Sequence, residues 1–195
     1  PIYDYMVSNK DVAISGPRIL ERDGTIQGSA RKFPTALTSI FGRKSPITRL
    51  FPNNGITKKE FVCFNNNGRT AIDADWVSGA CMLIRKEAFE AIGGFDENFF
   101  LYWEDADLCK RLKDRSWRIV YYPQAAIMHL VGKSSNTRPI ASICNFHQSC
   151  YKYFAKYAYG WRKLFKPISF LGLSLRCLFV ILLNLLKRSI ETRKI

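Results

Sequence analysis

Three carboxylates, Glu104, Asp105 and Asp107, fall within four residues of each other in the segment GGFDENFFLYWEDADLCKRL, residues 93–112. A carboxylate kept ionised beside apolar walls can take the proton of an incoming hydroxyl, which is general-base chemistry. Phe99, Phe100, Tyr102 and Trp103 stand just ahead of the acids and can wall such a pocket. Gly93 and Gly94 let backbone approach a ligand closely. The same acids also sit where a helix begins. Asp and Glu are favoured in any first helical turn by its free N–H groups and its dipole. On composition alone, capping is the stronger account of the cluster. His129 is the second candidate; it follows the apolar piece AAIM and precedes LVGKSS. A neutral imidazole is a good ligand for a divalent cation that bridges phosphates, although a lone histidine is more often structural.

The elements that would position these residues alternate along the chain. Residues 1–9 read as the end of a helix. Residues 11–20, DVAISGPRIL, read as a short strand closed by the turn signal ERDGT. Residues 29–70 look irregular and polar, with Pro34, Pro46 and Pro52 and a loop tip at NNNG. Residues 76–85, WVSGACMLIR, read as one buried strand with a close-approach glycine at Gly79. Residues 86–92 form a helical turn that the double glycine stops. Residues 104–115 place Ala106, Leu108, Cys109 and Leu112 at helical spacing. Residues 117–122 read as a strand ended by Pro123, and residues 125–130 as a further short apolar piece. Such alternation predicts an α/β layer architecture. Residues 140–161 read as a helix, and an apolar stretch at 168–186 follows the break at Pro167. Two parts are therefore expected: an α/β body over 1–139 and a helical tail over 140–195.

Composition fits a packed chain, with 47% hydrophobic and 14% aromatic residues. The charge is lopsided. Residues 150–195 carry ten Lys or Arg against the single Glu191, a net of +9 out of the chain's +14. A basic tail suits a polyanion or an anionic membrane face, and a merely solvated basic surface is the plainer account. The six cysteines include no CxxC pair, which argues against a zinc site. Several lie in apolar runs, as free thiols do in a reducing compartment.

Taken together, residues 75–135 resemble the acceptor half of the family 2 glycosyltransferases, nearest to bacterial rhamnosyltransferase-like and galactofuranosyltransferase-like members. Residues 11–34, VAISGPRILERDGTIQGSARKFP within them, resemble more weakly the segment after the family's donor site. The resemblance implies a GT-A type α/β fold, incomplete here, with a membrane-associating helical tail. It implies an inverting, metal-dependent enzyme that moves a sugar from a nucleoside-diphosphate sugar to a lipid-linked or cell-surface polysaccharide acceptor. Rhamnose is suggested by resemblance alone. Asp105 matches the family's catalytic base. Glu104 and Asp107 match flanking acids that bind or orient the acceptor, and Trp76, Gly79 and Ala80 match the strand lining its pocket. His129 matches a histidine that completes coordination of the Mn²⁺ or Mg²⁺ on the diphosphate. Ser134 and Ser135 match a loop that encloses that diphosphate. The family's nucleotide-binding βαβ region and its Asp-x-Asp motif would lie ahead of Pro1, so the chain is expected to be a fragment that by itself binds donor poorly. Asp73-Ala74-Asp75 has the letters of that motif but leads straight into the acceptor strand, and is not expected to hold metal.

The apolar stretch is nearly long enough to span a bilayer. Arg176 near its middle opposes insertion by roughly 2.5–3.5 kcal/mol. With Arg162, Lys163 and Lys166 before it and Lys187, Arg188, Arg193 and Lys194 after it, it is expected to lie in the interface. That makes the protein peripheral, on the cytoplasmic face of the cell membrane, with a transmembrane helix at 168–186 as the weaker alternative. Two further readings compete with the enzyme. One is a catalytically inactive, membrane-associated interaction module or gene remnant. The other is nucleic-acid binding by residues 150–166, where Tyr, Phe and Lys interleave. No nucleic-acid motif accompanies that segment, and nucleic acid is not expected as a partner.

Overall fold

The structure, a computed structural model, describes residues 1–34, 60–130 and 137–192. Contacts divide the chain into two compact units: residues 1–96 with 105–131, and residues 97–104 with 132–195.

The first unit is built on β1 (Val12–Leu20) and β6 (Arg118–Met128), which run parallel at the centre of a four-stranded sheet. β3 (Ile72–Ala74) closes one edge beside β6, and β5 (Leu83–Ile84) the other beside β1, both antiparallel. The first six residues of β1 are buried without alternation, as befits a strand covered on both faces. β6 differs from expectation. Arg118–Met128 form one strand rather than two pieces, and Pro123 does not end it. The pairing jumps from Pro17↔Tyr122 to Arg18↔Ala126. A bulge of three residues thus takes up the proline, which has no N–H to give a ladder.

A two-stranded sheet, β2 (Ala30–Arg31) against β4 (Trp76–Val77), lies close to β1. At Gly16 an added Cβ would stand 2.8 Å from Cβ of Val77, so only glycine admits this approach. The single strand expected over 76–85 is therefore two short strands, β4 and β5, separated by a turn in which the N–H of Cys81 meets the carbonyl of Ser78 at 3.4 Å. α1 (Ile2–Ser8) and α2 (Lys86–Ala91) form as expected. Gly93 and Gly94, at φ 75° and 73°, end α2 in the left-handed conformation. α3 (Glu104–Lys113) buries Leu108, Cys109 and Leu112 in the core with Ile14, Phe61, Val77, Ile119 and Tyr121.

In the second unit, α4 (Pro139–Tyr157) and α5 (Lys166–Thr192) pack on each other, joined through a 3₁₀ segment at Gly160–Phe165. Pro167 takes the second position of α5, where a missing N–H costs nothing. Segment 97–104 belongs to this unit. The Ser149 hydroxyl donates to the Leu101 carbonyl at 2.8 Å, and the Lys152 ammonium to that of Asn98 at 2.8 Å.

Candidate functional site

Asp105 sits in the first turn of α3. Its Oδ1 accepts the N–H of Ala106 at 2.7 Å, a bond within the first helical turn. Its Oδ2 accepts the N–H of Gly79 at 2.8 Å, from the turn after β4, twenty-six positions away. Capping explains the first bond and not the second. Burial pushes the Asp105 carboxyl above its ordinary value, against the lowering influence of the two N–H groups and of the Arg31 charge. A carboxylate that holds its proton more tightly than usual, but is partly stabilised as an anion, has the character of a general base. Gly79 N–H can serve it because the chain turns at Ser78 instead of continuing as strand. Ala80, also exposed, follows in that turn, with its N–H 3.3 Å from the Ser78 hydroxyl.

The other expected residues have separate fates. Asp107 is fully buried, and Oδ2 accepts Nε of Arg111 at 2.7 Å. Arg111 also donates to the carbonyls of Ile92 at 3.0 Å and Gly94 at 2.7 Å. Asp107 thus secures α3 to the glycine turn. Glu104 opens α3 and is partly buried. The Trp76 indole N–H meets the Lys32 carbonyl at 3.2 Å, and its ring carries the Arg31 guanidinium. The aromatics expected to wall the pocket pack on α4 instead. Trp103 meets Phe146, Tyr153 and Phe154, Tyr102 meets Phe146 edge-on, and Phe99 is buried. Phe100 alone of the four is open, at 86% exposure. Tyr102 and Trp103 hold φ of 66° and 70°, a strained setting for bulky residues and one that clusters at functional segments.

His129 stands just past β6, its N–H on the Leu20 carbonyl at 3.0 Å. Gln27 orders it. The Gln27 amide donates to the His129 carbonyl at 2.7 Å, so its oxygen must face the ring, 3.4 Å from Nδ1. That oxygen can only accept, so in the neutral ring it favours the tautomer with the proton on Nδ1 and the lone pair on Nε2. Metal-binding histidines are oriented in this way. His129 fits a metal as one ligand; no group of three or more His, Cys, Asp or Glu able to hold an ion occurs among the described residues. The Asp73-Ala74-Asp75 triplet is spent on ion pairs, Asp73 with Arg118 at 2.9 Å and Asp75 with Lys113 at 2.7 Å. Ser134 and Ser135 lie outside the described residues.

Gln27 and Arg31 were not legible as site residues. Both lie in the segment GTIQGSARKFP, whose only sequence signal was the weaker stretch of resemblance.

Residues 63–143 match the family described as glycosyltransferase like family 2. The chain is 32% identical over 153 residues to an N-acetylglucosaminyl-diphospho-decaprenol L-rhamnosyltransferase of Mycobacterium tuberculosis, covering 75% of this chain and 46% of that one. It is 42% identical over 55 residues to a rhamnosyltransferase of Escherichia coli, covering 28% of this chain and 21% of the relative. An O-antigen biosynthesis protein of Myxococcus xanthus is 38% identical over 121 residues, covering 61% of this chain and 8% of its own length. The chain thus spans less than half the length of each of these relatives. The mixed sheet flanked by helices is consistent with part of a GT-A fold. Residues 63–143 thus form a glycosyltransferase family 2-like domain, and the chain is rhamnosyltransferase-like in sequence.

Proposed function

We propose that this chain carries the acceptor-side machinery of an inverting glycosyltransferase. It moves a sugar, rhamnose, from a nucleoside-diphosphate sugar to a lipid-linked or cell-surface polysaccharide acceptor. The observation that supports this best is the Asp105 carboxylate, gripped on one oxygen by Gly79 N–H and on the other by Ala106 N–H while burial raises its proton affinity. Asp105 takes the proton of the acceptor hydroxyl. The hydroxyl oxygen forms its bond to the anomeric carbon as the bond from that carbon to the diphosphate breaks. The nucleoside diphosphate leaves and the proton stays on Asp105. One base and one displacement invert the centre, as one displacement does in inverting glycosidases. His129 offers Nε2 to the divalent metal, Mn²⁺ or Mg²⁺, which when bound stabilises the charge on the departing diphosphate. The names of the relatives, one acting on a diphospho-decaprenol lipid and one in O-antigen biosynthesis, favour a polyprenyl-linked acceptor.

The second unit suits the membrane on which such acceptors sit. Residues 160–186 are long and apolar enough to cross a bilayer. Ser169, Leu173, Cys177 and Asn184 recur at helical spacing as the less exposed stripe of α5, while Ile168, Leu171, Leu175, Leu178, Phe179 and Leu182 are exposed. The Arg176 charge is felt at His147 and Cys150 of α4. With α4 packed on α5, α5 lies in the interface, its exposed apolar side chains down, on the cytoplasmic face.

The test is Asp105→Asn in the full-length gene product, with dTDP-rhamnose and a polyprenyl-diphosphate sugar as substrates. Turnover falls by about 10²–10⁴-fold, the contribution typical of a general base, and NMR of the wild-type product shows the inverted anomer. Undiminished turnover would remove Asp105 from the chemistry; a full-length protein with no turnover at all and no donor binding would favour a non-catalytic membrane module.

A further inference from the structure

We propose that Cys144 of α4 and Cys177 of α5 are a redox-sensitive pair: hydrogen peroxide joins them in a disulfide that ties together the two helices of the second unit. The inference does not depend on the reading of Asp105. α4 and α5 pack on each other, and the short 3₁₀ link at Gly160–Phe165 returns the chain, so the helices run antiparallel. The rings of Tyr151 and Phe170 meet edge-on across them, with centres 5.2 Å apart. That contact sets the register. Seven residues make nearly two helical turns and return to the same face. Seven positions before Tyr151 on α4 stands Cys144, and seven after Phe170 on α5 stands Cys177. In an antiparallel pair these two positions face each other, two turns along from the ring contact. The thiols interact there. Burial raises the Cys177 thiol above its ordinary value, and the Cys144 thiol raises it further, in part through a side-chain hydrogen bond.

The surroundings of the cysteines single out this pair. Cys144 is the exposed one of the six, and Cys177 is partly buried. Cys63 and Cys109 lie in the core of the first unit, to which Cys81 also belongs. Cys150 is buried in the second unit, and desolvation pushes its thiol up to about 12. It also stands on the wrong side of α4 to reach Cys144: six residues on, it is about a third of a turn round and roughly 9 Å further along. Cys144 is therefore the sulfur that an oxidant in solution meets, and Cys177 the one placed to answer it.

The chemistry balances in two steps. The Cys144 sulfur, its proton released, bonds to one oxygen of the peroxide. The O–O bond breaks, and the other oxygen leaves with that proton as water. The Cys177 sulfur then displaces the hydroxyl of the Cys144 sulfenic acid. An S–S bond forms, and the hydroxyl departs with the Cys177 proton as a second water. Two thiols lose two electrons in all, and one peroxide gains them. A dithiol reductant reverses the bond by thiol–disulfide exchange. In a reducing compartment such a bond is transient and reports oxidation. While closed, it joins residues on either side of the whole connection between α4 and α5, which restricts the unfolded chain and holds the hairpin together.

The test is mass spectrometry of the full-length gene product, purified under dithiothreitol, freed of it and treated with hydrogen peroxide. Remaining thiols are alkylated and the protein is digested without reductant. The peptides carrying Cys144 and Cys177 appear joined, lighter by two hydrogens than their sum, and dithiothreitol separates them. In Cys177→Ser the linked peptide is lost and Cys144 is trapped by dimedone as the sulfenic acid. If Cys177→Ser does not fold, the wild-type digest decides alone. A Cys177 that stays free for alkylation after peroxide overturns the inference, whether Cys144 is untouched, over-oxidised or bonded to another cysteine.

Discussion

Replacing Asp107 separates two roles that its position in the sequence confounds. The residue stands two places from the proposed base, yet its side chain is wholly buried and paired with Arg111 at 2.7 Å. Removing one member of a buried ion pair strands the other, which costs about 3–5 kcal/mol when both are inaccessible. Arg111 retains the Ile92 and Gly94 carbonyls and is 20% exposed at its side chain, so Asp107→Ala should cost less, about 2–4 kcal/mol. For a domain of this size each kcal/mol lowers Tm by roughly 2–4 °C, so a fall of about 5–15 °C follows. Asp107→Asn keeps an acceptor for Nε and loses only the charge, so it falls between wild type and Ala. The assay is thermal unfolding followed by circular dichroism, with acceptor KM measured below the transition. An Asp107→Asn protein with unchanged Tm and an acceptor KM raised tenfold would refute the structural role and restore an acceptor contact.

Four further outcomes follow from the same geometry. Gly28→Ala forces Phe61 to move and should cost about 1–3 kcal/mol as an overpacked core does; urea unfolding with an unchanged midpoint would mean that Phe61 has room to spare. Burial pushes the Asp75 carboxyl up, but the Lys113 ammonium, the Phe33 N–H and Lys32 outweigh it and hold it below its ordinary value of 3.8. A lowered carboxyl adds stability that is complete above the unfolded value and lost as pH falls through the folded one. Asp75→Asn should therefore flatten the stability–pH curve below about pH 4, and a wild-type slope there would dismiss this pair as a source of acid sensitivity. Gln27→Leu frees the His129 ring and should raise the half-saturating Mn²⁺ concentration about 10–100-fold; the same metal dependence as wild type would show that the amide does not orient a ligand. Leu178→Glu with Leu182→Glu should weaken sedimentation with anionic vesicles by at least about tenfold, since each leucine contributes about 1.5–3 kcal/mol when buried in hydrocarbon, and undiminished binding would point away from α5.

The long-period features were legible in the sequence. Helical spacing gave α3 and α4, the double glycine ended α2, and the run DVAISGPRIL became the buried central strand β1. What failed were inferences that treated a local signal as decisive. Pro123 suggested a strand end, but its neighbours on β1 continue past it because the bulge absorbs the missing donor. WVSGACMLIR looked like one strand because its residues are apolar, yet the N–H of Gly79 is given to Asp105 and the pairing partners of β4 and β5 differ. The stacking of Arg31 between Phe61 and Trp76 could not be read at all: the two rings are distant from it in sequence, and only the fold brings them to one guanidinium.

The acids of α3 show why adjacency in sequence misleads about function. At 3.6 residues per turn, successive side chains are offset by about 100°, so residues two apart point to opposite sides of a helix. Asp105 and Asp107 therefore cannot both face an acceptor. The buried stripe of α3 runs through Leu108, Cys109 and Leu112, and positions three, four and seven before those put Asp105 at its N-terminal end. The proposed base thus occupies the last place on an apolar stripe, where the core gives out and the N–H groups of a helix start and of a turn are both at hand. Desolvation by burial raises its proton affinity, and those N–H groups with the Arg31 charge limit the rise. Asp107, turned to the other side, meets Arg111 one helical turn on. Helical phase thus decides whether the same residue type is placed as the proposed base or as a brace. An isosteric Asp105→Asn change and an Asp107→Asn change should accordingly dissociate, the first lowering turnover with the fold intact and the second lowering Tm with residual turnover in the folded fraction.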